Sequence, residues 1–155
     1  VGRYVADQLG FTFLDTDDLI EERTGLPISE IFEQHGEAVF RNLEKDLLKE
    51  LATRKELVIS TGGGMAANSE NLASLKTHSL VVCLWASPET IWERVRTQTH
   101  RPLLRNPDPL AKIRELLASR ERFYREADVL VNTERRSIRE VSQHVIHQMQ
   151  LALSR

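Results

Sequence analysis

Cys83 is the only cysteine in 155 residues, so no internal disulfide can form, and this usage suits a reducing compartment. It lies within an apolar strand-like run and reads as a small buried hydrophobe rather than a reactive thiol. No apolar run approaches the length that crosses a bilayer, and no signal-peptide pattern opens the chain. The expectation is therefore a cytoplasmic protein. There is no excess of positive charge either: the formal net charge is -2, which argues against a nucleic-acid footprint and makes individual arginines more informative than their sum. Internal repeats and low-complexity linkers are also missing. His35, His78, His100, His144 and His147 lack metal-site spacing with cysteine or carboxylate partners.

What the sequence does contain is an alternation of strand-like and helix-like stretches, which predicts a single α/β domain over 1–155. Short apolar runs at 11–14, 57–60, 80–85 and 129–131 read as strands covered on both faces. The segment 37–51 carries Phe40, Leu43, Leu47, Leu48 and Leu51 at helical spacing, so that stripe faces a core while Arg41, Glu44 and Lys45 leave it. Gly36 fits the C′ position of a short helix over 29–35. Ser87 followed by Pro88 reads as an N-cap and first helical residue, opening a helix over 88–97. A last helix is expected over about 138–153. Trp85 and Trp92 read as core and helix packing. Residues 2–10 have amphipathic spacing closed by Gly10, and read as the tail of a helix whose beginning is missing.

Four groups of residues carry chemistry. Asp15-Thr16-Asp17 closes the first strand and delivers two carboxylates to its carboxyl end, where α/β sheets bind ligands. Gly62-Gly63-Gly64 follows the second strand and lets backbone approach a ligand without an intervening Cβ, although a flexible turn would use the same residues. Residues 97–108, with Arg101-Pro102-Leu103-Leu104, suit a lid between two helices. Arg41 with Glu44, and Arg120 on a late helix, complete an anionic-substrate site; on spacing alone Arg41 and Glu44 could equally be a surface pair.

The order and spacing of these motifs resemble the shikimate kinase family over nearly the whole chain. The resemblance rests on Leu14-Asp15-Thr16-Asp17, Ile20-Glu21 with Thr24-Gly25, Ser29-Glu30-Ile31-Phe32 and Gly36 through Glu44. Ser60-Thr61-Gly62-Gly63-Gly64, Arg101-Pro102-Leu103-Leu104 and Arg120 before Phe123-Tyr124 continue it. It implies a three-layer, doubly wound parallel sheet of the P-loop kinase type, and a monomer that moves the γ-phosphate of ATP to the 3-hydroxyl of shikimate. It further implies a substrate-binding region at about 15–45.

The same resemblance implies roles residue by residue. Arg41 and Arg120 clamp the substrate carboxylate, since guanidinium donors match two oxygens and stay charged; from the spacing itself, Glu44 at i+3 and Glu37 at i-4 are placed to fix Arg41, and Phe40 with Phe32 reads as core or pocket wall. Asp17 binds the substrate hydroxyls and deprotonates the attacking one. Asp15 serves a Mg²⁺ shell. Gly62, Gly63 and Gly64 back the substrate. Arg101 neutralises transition-state charge from the lid, Arg94 stacks on adenine, and Arg136, with Arg135, is a second nucleotide-side candidate. Asp18, Glu21 and Glu22 read as solvated charge at a helix start.

The family pattern also places a strand, a Gly-rich loop ending Gly-Lys-Ser/Thr and a helix continuing Val-Gly-Arg at its start. This sequence opens at Val1-Gly2-Arg3. The phosphate-binding lysine and Mg²⁺-ligating hydroxyl are thus absent from it, and the expectation is an incomplete record, with ATP use impaired in the chain as given. The alternatives are a kinase for another small polyol acid such as gluconate, a nucleoside-monophosphate kinase, and a non-catalytic shikimate- or partner-binding module.

Overall fold

The computed structural model describes residues 1–98 and 105–155. Among them eight helices and four strands follow one another in the expected alternation: α1 (Gly2–Leu9), β1 (Thr12–Asp15), α2 (Thr16–Thr24), α3 (Ile28–His35), α4 (Glu37–Leu51) and β2 (Leu57–Ser60). Then come α5 (Ser69–His78), β3 (Val82–Trp85), α6 (Pro88–Val95), α7 (Pro109–Tyr124), β4 (Val129–Asn132) and α8 (Ile138–Leu153). Boundaries moved by one or two residues from the expected ones. The helix expected over 88–97 stops at Val95, and the strand expected from 80 starts at Val82.

Local chemistry explains the ends. Ser87 caps α6 by accepting from the Thr90 N–H, and Ser137 and Glu140 cap α8 reciprocally, each side chain accepting from the other's backbone N–H. Gly36 ends α3 as expected, but not in the left-handed helical conformation of a usual cap. Its φ of 84° and ψ of 166° belong to a region open essentially to glycine, and this turns the chain directly from α3 into α4.

The strands form two parallel pairs. Thr12 to Asp15 run in register with Leu57 to Ser60, and Val82 to Trp85 with Val129 to Asn132. No ladder joins β2 to β3 among the described residues. One consequence corrects the reading of Trp85 as core: β3 is paired on one side only, and Trp85 remains 45% exposed.

Alternation along β1 sorts the layers. Phe13 points to α1, where the Arg3 guanidinium carbon lies 4.6 Å from its ring centroid. Leu14 points the other way, into a cluster of Ile20, Ile31, Phe40, Leu47 and Leu51 that Leu57 and Ile59 of β2 also join. Burying such side chains contributes about 1.5–3 kcal/mol each, so this cluster holds α2, α3 and α4 on the sheet. α1 packs on α8, which lies along β4, so helices cover opposite faces of a parallel layer.

The expectation that Glu44 leaves the core is corrected. It is 1% exposed. Phe40, Glu44 and Leu48 fall four residues apart and share one face, so the carboxylate is carried inside by the stripe that surrounds it.

Candidate active site

Asp15 pairs in register with Ser60, so β1 and β2 end together, and the glycine loop leaves β2 beside the acidic turn. All three glycines are needed for space, because a Cβ on any of them would meet a different functional side chain. At Gly62 it would lie 3.2 Å from both carboxylate oxygens of Asp17, and at Gly63 it would lie 2.9 Å from Tyr124 Oη and 3.0 Å from Arg120 Nη1. At Gly64 it would lie 2.5 Å from Arg41 Nη2. Residues from α2, α4 and α7 therefore converge on the bare stretch of backbone that follows β2. The loop makes room for the protein's own charged groups as well as for a ligand.

Arg41 is held from its own helix. Its Nη1 donates to Glu44 Oε1 at 2.5 Å and its Nη2 to Glu37 Oε1 at 3.4 Å. The ring of Phe40, itself packed on Phe32 at 5.0 Å between centroids, lies 5.4 Å from the Arg41 guanidinium carbon. Burial pushes the Glu44 carboxyl above the usual carboxylate range, while the hydrogen bond and charge of Arg41 pull it back. Arg41 thus has a buried orienting partner and an outer, weaker one, and two-thirds of its side chain is shielded from solvent. This is unlike an exposed helix pair.

Asp15 and Asp17 divide their work. Asp15 is the N-cap of α2: its Oδ1 accepts from the backbone N–H of Asp17 at 2.9 Å and of Asp18 at 3.1 Å. Asp17 therefore stands in the first helical turn rather than on the strand. Its carboxyl is raised, chiefly by burial and then by the charges of Asp15, Glu21 and Asp18, with Arg41 opposing. Asp18 is exposed as expected, but Glu21 is half-buried and its carboxylate accepts from the Ile28 N–H at 3.2 Å. Reading Glu21 as solvated charge missed that it pins the α2–α3 connection and bears on Asp17. Among the described residues no group of three or more His, Cys, Asp or Glu could hold a metal. Two neighbouring carboxylates, one already capping a helix, nevertheless fit Mg²⁺, which keeps several waters and takes one or two carboxylates plus substrate oxygens.

A cavity of about 460 Å³ lies beside β3 and β4, lined by Val1 together with Arg94, Arg136, Trp85, Cys83 and Tyr124. Arg94 does not hang free in it. Its Nη1 donates to Thr133 Oγ1 at 2.8 Å and its Nη2 to the Thr133 carbonyl at 2.9 Å, while the Thr133 hydroxyl donates to the Trp85 carbonyl at 3.1 Å. Glu134 next to it accepts from the Ser87 N–H and the Thr90 hydroxyl. Cys83 is half-buried, and burial pushes its thiol up, away from reactivity. Arg101, Leu103 and Leu104 lie outside the described residues. Sequence reasoning missed Tyr124 and Thr133; the signal for Tyr124 was its position four residues past Arg120, and for Thr133 its place directly after the last strand.

Parallel strands covered by helices, with carboxylates, guanidinium groups and a glycine loop gathered at the strand ends, define an α/β phosphotransferase of the P-loop kinase type. Comparison narrows this class. A family model described as shikimate kinase matches residues 1–150. The shikimate kinase of Thermodesulfovibrio yellowstonii is 42% identical over 146 residues, covering 94% of this chain and 84% of that protein. That of Thiobacillus denitrificans is 48% identical over 139 residues, 89% of this chain and 76% of its own length. Among solved structures, shikimate kinase from Acinetobacter baumannii in complex with shikimate superposes with a TM-score of 0.89 at 40% identity, covering 99% of this chain and 84% of that one. The enzyme from Aquifex aeolicus superposes with a TM-score of 0.84 at 36% identity, covering 96% and 87%. The chain belongs to the shikimate kinase family. No helix among the described residues is long and apolar enough to cross a membrane.

Proposed function

We propose that this chain is the shikimate-binding part of an enzyme that phosphorylates the 3-hydroxyl of shikimate with ATP. One observation carries the reading: Asp17, Arg120 and Arg41 meet successive glycines of a single loop. Two guanidinium groups beside one bare backbone segment are what a small carboxylate needs, since each supplies paired, permanently charged donors. The A. baumannii relative, solved with shikimate, supports that ligand.

In this reading Arg41 and Arg120 hold the shikimate carboxylate, Gly62 to Gly64 lie against the ring, and Asp17 faces the hydroxyls. Asp17 accepts the proton of the attacking hydroxyl as its oxygen bonds to the γ-phosphorus and the bond to the ADP oxygen breaks. A carboxyl raised by burial and neighbouring carboxylates is a stronger base than an ordinary aspartate. Mg²⁺, when bound, would neutralise phosphate charge, with Asp15 at its shell. Arg94 and Arg136, which border the cavity beside β3 and β4, are the residues assigned to the nucleotide side. Arg101, which lies outside the described residues, is assigned to the charge of the transferring phosphoryl group on the family pattern alone.

The test is a pair of measurements with shikimate and a panel that includes gluconate. Calorimetric titration of this chain reports binding without ATP, and a coupled assay on protein that also carries the Gly-Lys-Ser/Thr loop, used for every kcat and KM below, reports transfer. Shikimate should bind in preference to the panel, and Arg41→Ala or Arg120→Ala should each weaken it by about 1–3 kcal/mol, the range for charge-assisted hydrogen bonds. Gluconate binding more tightly, or both alanine variants binding like the wild type, would overturn the assignment.

A further inference from the structure

We infer that Tyr124 is a positioning residue of the shikimate site, holding the glycine loop in register with Arg120 through its hydroxyl. The inference deepens the proposed function and rests on it. Tyr124 is the last residue of α7, one helical turn past Arg120, so both side chains leave the same face of the helix. Its phenol O–H donates to the Gly63 carbonyl at 2.9 Å, across 61 residues of sequence. The Gly63 Cα faces the same two side chains, Tyr124 Oη and Arg120 Nη1. One backbone residue is thereby gripped at its carbonyl and approached at its Cα by a single helix.

The grip matters because three consecutive glycines carry the largest backbone entropy to be lost on ordering. The loop has other anchors at its ends. The Met65 N–H donates to the Gly62 carbonyl at 3.1 Å, and the buried Asn71 side chain donates to the Met65 carbonyl at 3.1 Å. Among the described residues, Tyr124 provides the hydrogen bond that ties this loop to α7. Gly62 against Asp17 and Gly64 against Arg41 are close approaches on either side of that tether. Releasing it lets the loop drift from the two groups that read shikimate, while the chemistry at Asp17 keeps its own helix cap. Tyr124 also borders the cavity that contains Arg94 and Arg136, so a general loosening of α7 would disturb the nucleotide side as well.

That difference supplies the test. Tyr124→Phe removes only the oxygen and keeps the ring. The shikimate Kd by calorimetry, and the shikimate KM, should rise about three- to tenfold, the loss of one neutral hydrogen bond. kcat, the KM for ATP and the thermal midpoint should stay close to wild type. Gly63→Ala should also weaken shikimate binding, and combining it with Tyr124→Phe should cost less than the sum, because both act at the same contact. Unchanged shikimate affinity overturns the inference, as does a parallel fall of kcat, both KM values and thermal midpoint, which marks a structural prop of α7. Wild-type protein that fails to bind shikimate removes the functional reading and this inference with it; a wild type and variant that bind equally remove only the inference.

Discussion

Gly64 and Arg41 are packed so closely that a Cβ at residue 64 would lie 2.5, 2.6 and 2.8 Å from the Nη2, Nη1 and Cζ atoms of the guanidinium. Arg41 is aimed by this backbone on one side and by Glu44 on the other. The obstructed atoms are the tip of a flexible side chain, so Gly64→Ala should displace the guanidinium rather than break the fold. We expect stability within about 1 kcal/mol of wild type. Shikimate affinity should fall about tenfold, or roughly 1.4 kcal/mol, in a calorimetric titration.

Glu44→Gln separates stability from binding. Glu44's folded-state carboxyl titrates above its unfolded value because it is buried. Its contribution to stability is therefore fully present below the unfolded pKa and is lost as pH rises through the raised folded value. The variant, which does not titrate, should gain on the wild type in thermal midpoint as pH rises from that unfolded value toward neutrality. Shikimate should nevertheless bind more weakly, since the amide keeps an acceptor but loses the charge that orients Arg41. Tighter binding by the variant would contradict the orienting role.

Asp17 should set the acid limb of kcat/KM, which reports ionisations in the free enzyme. The limb should lie above the ordinary aspartate range of about 3.9, because burial and three neighbouring carboxylates raise the group. Glu21→Gln removes one of those charges while retaining an oxygen for the Ile28 N–H, so the limb should move to lower pH. Asp17→Asn should lower kcat at least about 100-fold, the scale of general-base catalysis, with a smaller change in KM. An unmoved limb in Glu21→Gln would remove the carboxylate cluster as its cause.

Thr133→Val tests the other side of the site. The hydroxyl lost accepts from Arg94 and donates to the Trp85 carbonyl. The KM for ATP should rise several-fold and stability fall by about 1 kcal/mol, while the shikimate Kd measured without nucleotide stays the same. An equal loss of shikimate affinity would show that the two halves do not act separately.

Much of the architecture was legible because it is written in local periodicity. The strand at 57–60, the long helix Glu37–Leu51, the capped start at Ser87 and the final helix all follow from short-range patterns of apolar, capping and glycine residues. Strand ends were less legible, since pairing decides where a ladder stops; Asp15 joins β1 because Ser60 lies opposite it. Glu44 was misplaced for a related reason. Its helical position put it between Phe40 and Leu48, but residue type argued for solvent, and packing against the apolar cluster decided the matter.

The amino-acid order by itself determined the alternation of helix and strand, the two carboxylates at a strand end, the glycine triplet and the arginines on α4 and α7. Those properties depend on neighbours a few residues away. Only the tertiary structure decided that Asp17, Arg120 and Arg41 meet Gly62, Gly63 and Gly64 in turn, that Tyr124 grips the loop, and that Thr133 holds Arg94. These contacts join residues that are mostly tens of positions apart, and burial, which sets the basicity of Asp17 and the orientation of Arg41, exists only once the layers have closed around them.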